Sequence, residues 1–195
     1  MKMKSFIGLA ALALCVAFGV SSVSAQDKMM KKGKDGNPMV GGAAMFKTKN
    51  IVENAVNSKD HTTLVAAVKA AELVDTLASA GPFTVFAPVN SAFDKLPAGT
   101  VDTLLKPENK ATLTKILTYH VVAGNFDSKA IAKMIKKGKG KATFTTVAGG
   151  KLKASMVGSS LVLTDEKGGT STVTIADVRQ SNGVIHVVDS VLLPN

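Results

Sequence analysis

The sequence predicts a single α+β domain behind an export signal. Three observations carry that expectation. Apolar residues recur at helical spacing between residues 50 and 137, with a short β-branched run among them. From residue 141 onward Thr, Val and Leu alternate between glycine-rich turns, the pattern of antiparallel hairpins. The first 25 residues match neither pattern. Helices in the first part and strands in the second make an α+β domain.

The signal comes first. "MKMK" supplies positive charge, "FIGLAALALCVAFGV" (6–20) is an uncharged apolar run, and Val23-Ser24-Ala25 offers a small-residue cleavage site. Residues 1–25 therefore read as a secretory signal peptide, its apolar run too short for a membrane span. Cleavage leaves 170 residues, enough for one domain with a real core. The expected location is secreted: periplasm, cell surface or medium. Cys15, the only cysteine, lies inside the apolar run, so the mature chain forms no disulfide. Leu14 stands where a lipoprotein signal places a small residue, so lipidation is not expected.

Residues 26–49 are rich in Lys, Gly and Met and lack periodicity, and read as a flexible leader. Four of the eight methionines fall here, irregularly spaced and without a histidine, which argues for a tail over a copper site. Order is expected from about Asn50. "NIVENAV" is a short helix. Asp60 can cap a second, with Leu64, Val65 and Val68 on one face, continued by Leu73, Val74 and Leu77 and stopped by Gly81-Pro82. "FTVFAP" (83–88) is a buried strand. Asn90 or Ser91 caps a brief helix through Lys95. Pro107 starts another, with Leu113, Ile116 and Leu117 on one side. "TYHVVAG" (118–124) follows as a strand. Ser128 caps a helix ending at Gly138, with Ile131, Met134 and Ile135 inward and Lys129, Lys133, Lys136 and Lys137 outward.

Charge narrows the partners. Without Lys2 and Lys4 the chain keeps 22 basic and 14 acidic residues, a net +8. Residues 129–153 hold eight lysines and no acid, including Lys129, Lys133, Lys136, Lys137, Lys139 and Lys141. They read as a solvated surface, with contact to an anionic polymer or lipid headgroups as the sharper alternative. Arg179 is the only arginine, there is no Trp and one Tyr, so specific nucleic-acid recognition is not expected.

Two of the three histidines sit in similar stretches, "TYHVVAG" and "VIHVVDS" (184–190). Strand alternation puts Val184, His186, Val188 and Leu192 on one face and Ile185, Val187, Asp189, Val191 and Leu193 on the other. Both faces are mainly apolar, so the strand is covered on both sides. A buried neutral imidazole is satisfied by one donated and one accepted hydrogen bond. A metal would need three or four ligands, and Asp189 faces away from His186. No metal or cofactor is expected. The mature chain has no cysteine nucleophile, no G-x-S-x-G elbow and no P-loop; "DEKGG" (165–169) is a turn, not an EF-hand.

Three blocks together resemble a known family. "GPFTVFAPVNSAFDKLP" (81–97), "TYHVV" (118–122) and "SNGVIHVVDSVLLP" (181–194) are similar to the first box, the Tyr-His motif and the second box of the fasciclin (FAS1) domain, in order and spacing. The resemblance covers residues 50–195 and looks most like small secreted bacterial members. It implies a β-sandwich or wedge packed with several α-helices, and a role in adhesion or matrix interaction in place of catalysis. The implied partner is an extracellular-matrix or cell-surface protein or polysaccharide. The family's adhesion pair before the second box maps to Asp177-Val178, although Ile175-Ala176 replaces the Glu-Pro that precedes it in one such motif. The Tyr-His motif maps to Tyr119-His120. The alternatives are an electrostatic binder of anionic polysaccharide or lipid through Lys129–Lys153, and a polysaccharide hydrolase or lyase.

Overall fold

A computed structural model describes Gly33 and residues 36–195; the signal peptide and the first part of the leader lie outside the described residues. The chain opens with a hairpin of β1 (Met39–Val40) and β2 (Ala43–Ala44). Helices α1 (Ile51–Ala55), α2 (Thr62–Ala70) and α3 (Val74–Ala78) follow, then β3 (Phe83–Pro88). Next come α4 (Asn90–Phe93), α5 (Thr100–Leu104), α6 (Lys110–Tyr119), β4 (Val121–Ala123) and α7 (Ser128–Lys137). The remaining strands are β5 (Lys141–Thr145), β6 (Lys151–Val157), β7 (Ser160–Thr164), β8 (Thr170–Gln180) and β9 (Gly183–Val188).

Seven strands form one mixed sheet in the order β4-β3-β9-β8-β7-β6-β5. Only β3 and β9 run parallel. The long β8 belongs to both halves: Thr170–Thr172 pair with β7 and Val173–Gln180 with β9. The sheet curls until its ends meet, where Val122 bridges Thr146 and the Val147 amide bonds the Val121 carbonyl at 2.8 Å. Strand alternation then divides the core. Val85, Ala87, Ile185 and Val187 face the helices α1, α2 and α6, while Phe86 and Val188 face the interior of the curl with Ile131, Ile135, Phe144 and Leu152. The expected two-sided burial of the last strand holds, since all six residues of β9 are buried.

Four expectations are corrected. Residues 36–49 are not a flexible tail: Val40 and Met45 are 3% and 2% exposed and belong to the core. The signal was Gly41-Gly42, both at positive φ, which close a two-residue hairpin loop; strands of two residues show no period. The second helix is two, because Glu72 takes a left-handed conformation (φ 55°) and the Leu73 amide reaches back to the Val68 carbonyl, a Schellman-type stop built without glycine. Asp60 sits in a 3-10 turn, and the α2 amide of Thr63 is capped instead by Asn90 Oδ1 from the start of α4. Finally α6 runs through Tyr119, so Tyr119-His120 ends a helix and the strand begins at Val121.

Candidate functional site

The second box is organised around His186. Parallel pairing sets His186 beside Phe86, and their rings stack at 5.6 Å between centroids. His186 is fully buried, and Nε2 lies 2.8 Å from the Phe126 carbonyl while Nδ1 receives the Asp177 amide at 3.4 Å. A carbonyl requires N–H and an amide requires a bare nitrogen, so the ring is neutral with its proton on Nε2. Burial pushes its pKa below the ordinary imidazole value, against the pull of the Phe126 carbonyl and the charges of Asp177 and Asp127.

Asp177 meets His186 because β8 bulges there. The pairing slips between Ile175 and Val178, and Asp177 adopts φ 61°. The bulge points the Asp177 amide at His186 and its carboxylate at the start of α7. Oδ1 accepts from the Ser128 amide at 2.6 Å and Oδ2 from the Ser128 hydroxyl. One residue earlier, Asp127 caps α7 through the Ala130 amide at 2.8 Å and pairs with Arg179 at 2.8 Å. The cap is Asp127, one position before the expected Ser128. Val178 is 1% exposed and lies in the core. The Asp177-Val178 pair is thus occupied within the fold, its acid holding α7 and its valine packed beneath the sheet.

The Tyr-His motif is built by the end of α6. His120 Nδ1 donates to the Ile116 carbonyl at 2.9 Å, satisfying one carbonyl left over at a helix C-terminus, and Nε2 accepts from the Leu192 amide at 3.0 Å. That side-chain cap is why the helix persists to Tyr119. Burial lowers the His120 pKa, opposed by the Ile116 carbonyl and Asp165. The ring of Tyr119, 0% exposed, points into the other half of the core, where its hydroxyl donates to the Lys151 carbonyl at 2.8 Å and accepts from the Glu166 amide at 3.2 Å. Burial pushes the phenol up to about 12. The "DEKGG" stretch is a turn as expected: Asp165 Oδ1 accepts from the Lys167 and Gly169 amides.

The lysine-rich stretch divides. Ile131 and Ile135 turn α7 toward β5 and β6, leaving Lys129, Lys133, Lys136 and Lys137 as an exposed stripe at i, i+4, i+7 and i+8, with Lys139 in the following turn. On β5, buried Ala142 and Phe144 face α7, so Lys141 points to the opposite side of the sheet. Lys151 and Lys153 alternate in the same way on β6. Among the described residues no carboxylate forms a salt bridge with any of these lysines. Among the same residues no three His, Cys, Asp or Glu side chains converge as a metal site, and no helix is long and apolar enough to cross a membrane.

These features define an α+β domain whose signature histidines and acid are tied to the backbone of its own fold. The chain belongs to the fasciclin domain family: the family's sequence model matches residues 59–194. It is 48% identical to Protein sll1483 of Synechocystis over 80% of this chain and 79% of that one. It is 39% identical to the immunogenic protein MPB70 of Mycobacterium bovis over 72% and 66%. It is 36% identical to the pig transforming growth factor-beta-induced protein ig-h3 over 67% of this chain but 17% of that protein. A FAS1 domain pair from the insect cell adhesion molecule fasciclin I shares the fold, with a TM-score of 0.66 at 18% identity, over 74% of this chain and 51% of that one.

Proposed function

We propose that this chain is an exported binding module that attaches a cell to matrix or surface polymer, and that it acts without catalysis. The observation that carries the reading is membership of the fasciclin family, whose fold is shared by an insect cell adhesion molecule. The internal engagement of Tyr119, His120, Asp177 and His186 supports it, because none of these groups is left free to act on a substrate. The signal-like residues 1–25 support an address outside the cytoplasm. A strain lacking the protein should attach poorly and retain less matrix; unchanged attachment would count against the reading.

The contact surface in this proposal is the outer face of α7. Lys129, Lys133, Lys136 and Lys137 stand in one stripe and form no salt bridge among the described residues, a geometry suited to repeating anionic groups on a polysaccharide or a headgroup layer. Lys141 lies across the sheet and is left out of this surface. Retention of the purified protein on alginate or heparin resin should fall steeply with salt. Replacing Lys129, Lys133 and Lys136 by Glu should abolish it with no change in melting temperature, whereas salt-insensitive retention would rule out the electrostatic contact.

A further inference from the structure

Between α1, α2 and the sheet lies an apolar cavity of about 240 Å³. Its walls are mainly aliphatic, from residues such as Ile51, Leu64 and Ile185. Almost no polar surface shows in it, because the polar groups around it are engaged elsewhere. The Ser58 hydroxyl and the backbone of Ala87 hold the His61 ring, and both ring nitrogens of His120 are bonded to backbone. A space lined in this way stays dry. It also forfeits packing contacts, at a cost that grows with its volume. The lining reaches the surface: Val56, just past α1, is 48% exposed, and Lys69, in the last turn of α2, is exposed as well. Helix α1 rests mainly on α3, and α2 on α6 and α4, so no tight helix pair closes the seam between them.

We infer that this cavity is a binding site for a medium-chain fatty acid, with the hydrocarbon chain inside and the carboxylate in water at the mouth, beside Lys69. Polarity sets the class first. Nothing on the walls can pair with a polar group, so whatever lies inside must be hydrocarbon alone. Size sets the chain length. A cavity of roughly 150 Å³ takes up benzene, so this one accommodates on the order of ten chain carbons. The open seam lets a molecule lodge its apolar end and keep its head hydrated. Charge then selects the head. Lys69 is the one charged residue among those lining the cavity, and it forms no salt bridge among the described residues. Its stem covers the mouth while its ammonium stays in water, which favours an anionic head over a cationic one. Each methylene taken from water into the cavity should tighten binding about fourfold. The site is separate from α7, which packs against the other half of the core.

The test titrates a chain-length series, hexanoate to tetradecanoate, into the exported protein by calorimetry, each below its micelle-forming concentration. One site is expected, with affinity rising about fourfold per methylene as far as decanoate and little beyond, because further carbons stay in water. Decyltrimethylammonium, with the same chain and the opposite charge, should bind more weakly than decanoate. In Val65→Trp, which fills a half-buried wall of the cavity, decanoate binding should be lost. On the unaltered protein, decanoate should shift the methyl resonances of Leu64 and Ile185 and leave those of Ile131 and Leu152 in place, a readout that survives if Val65→Trp does not fold. The inference is overturned if decanoate shows no saturable binding, if affinity does not depend on chain length or keeps climbing through tetradecanoate, or if decanoate binds without moving the Leu64 and Ile185 methyls. Tighter binding of decyltrimethylammonium, or of a decanoyl lysophospholipid, would overturn the choice of a fatty acid.

Discussion

At the scale of single residues, both motif histidines are tied on each side to backbone. His186 joins the Phe126 carbonyl to the Asp177 amide, and His120 joins the Ile116 carbonyl to the Leu192 amide. Removing either ring leaves two buried backbone groups unpaired and opens a cavity. His186→Ala should therefore lose about 1–3 kcal/mol, read by urea denaturation. A variant of full stability would show that the ring serves something other than the fold. Tyr119→Phe removes the hydroxyl from the Lys151 carbonyl and the Glu166 amide, and should cost about 1–2 kcal/mol by the same measurement. The two-bond satisfaction of His186 was legible in the sequence, because an imidazole on a strand apolar on both faces has only backbone to turn to. The particular partners were not legible: Phe126 stands 60 positions away and is brought in only by the loop before α7.

At the scale of elements, α7 is where motif and surface meet. Asp127 and Asp177, from the loop and the β8 bulge, together hold the first amides of the helix that carries the lysine stripe. Asp127→Ala should lower stability through the lost cap, with less amide protection in the first turn of α7 as the specific sign in hydrogen exchange. The lysine stripe and its inward isoleucines were readable from helical periodicity alone, as was β3 at its full extent. Failure came where a distant side chain replaced a local signal. Asn90 caps α2 from the start of α4, and His120 caps α6 with its own ring, so neither boundary follows from local sequence signals alone. Gly150 marks a further contact that sequence conceals: a Cβ there would sit 2.7 Å from the Tyr119 ring. Gly150→Ala should shift Tyr119 and cost about 1–3 kcal/mol, measured as a lower melting temperature.

At the scale of the whole molecule, three buried imidazoles set the response to acid. Burial lowers the pKa of His61, His120 and His186 below the ordinary value. The unfolded chain therefore binds more protons than the folded one as pH falls below about 6.5. Stability should be fully present above that pH and decline below it, with a slope of up to about 1.4 kcal/mol per pH unit for each histidine that stays neutral in the fold. Denaturant midpoints at pH 7.5, 6 and 5 should fall in that order; a flat series would contradict neutral burial. The division into helices and a β-rich half, and the common fate of the three motif blocks, were already visible along the chain. The curl of the sheet was not, since it depends on Val122 meeting Thr146 across 24 residues of sequence. That meeting also governs how copies of the domain can associate. The terminal strands are only three and five residues long and are stitched to each other where they touch. Among the described residues, these two ends of the sheet thus offer no long unpaired border on which a neighbour's backbone could extend it. Crowding should accordingly join these domains through side chains, reversibly, and not by fibre-like growth at these ends.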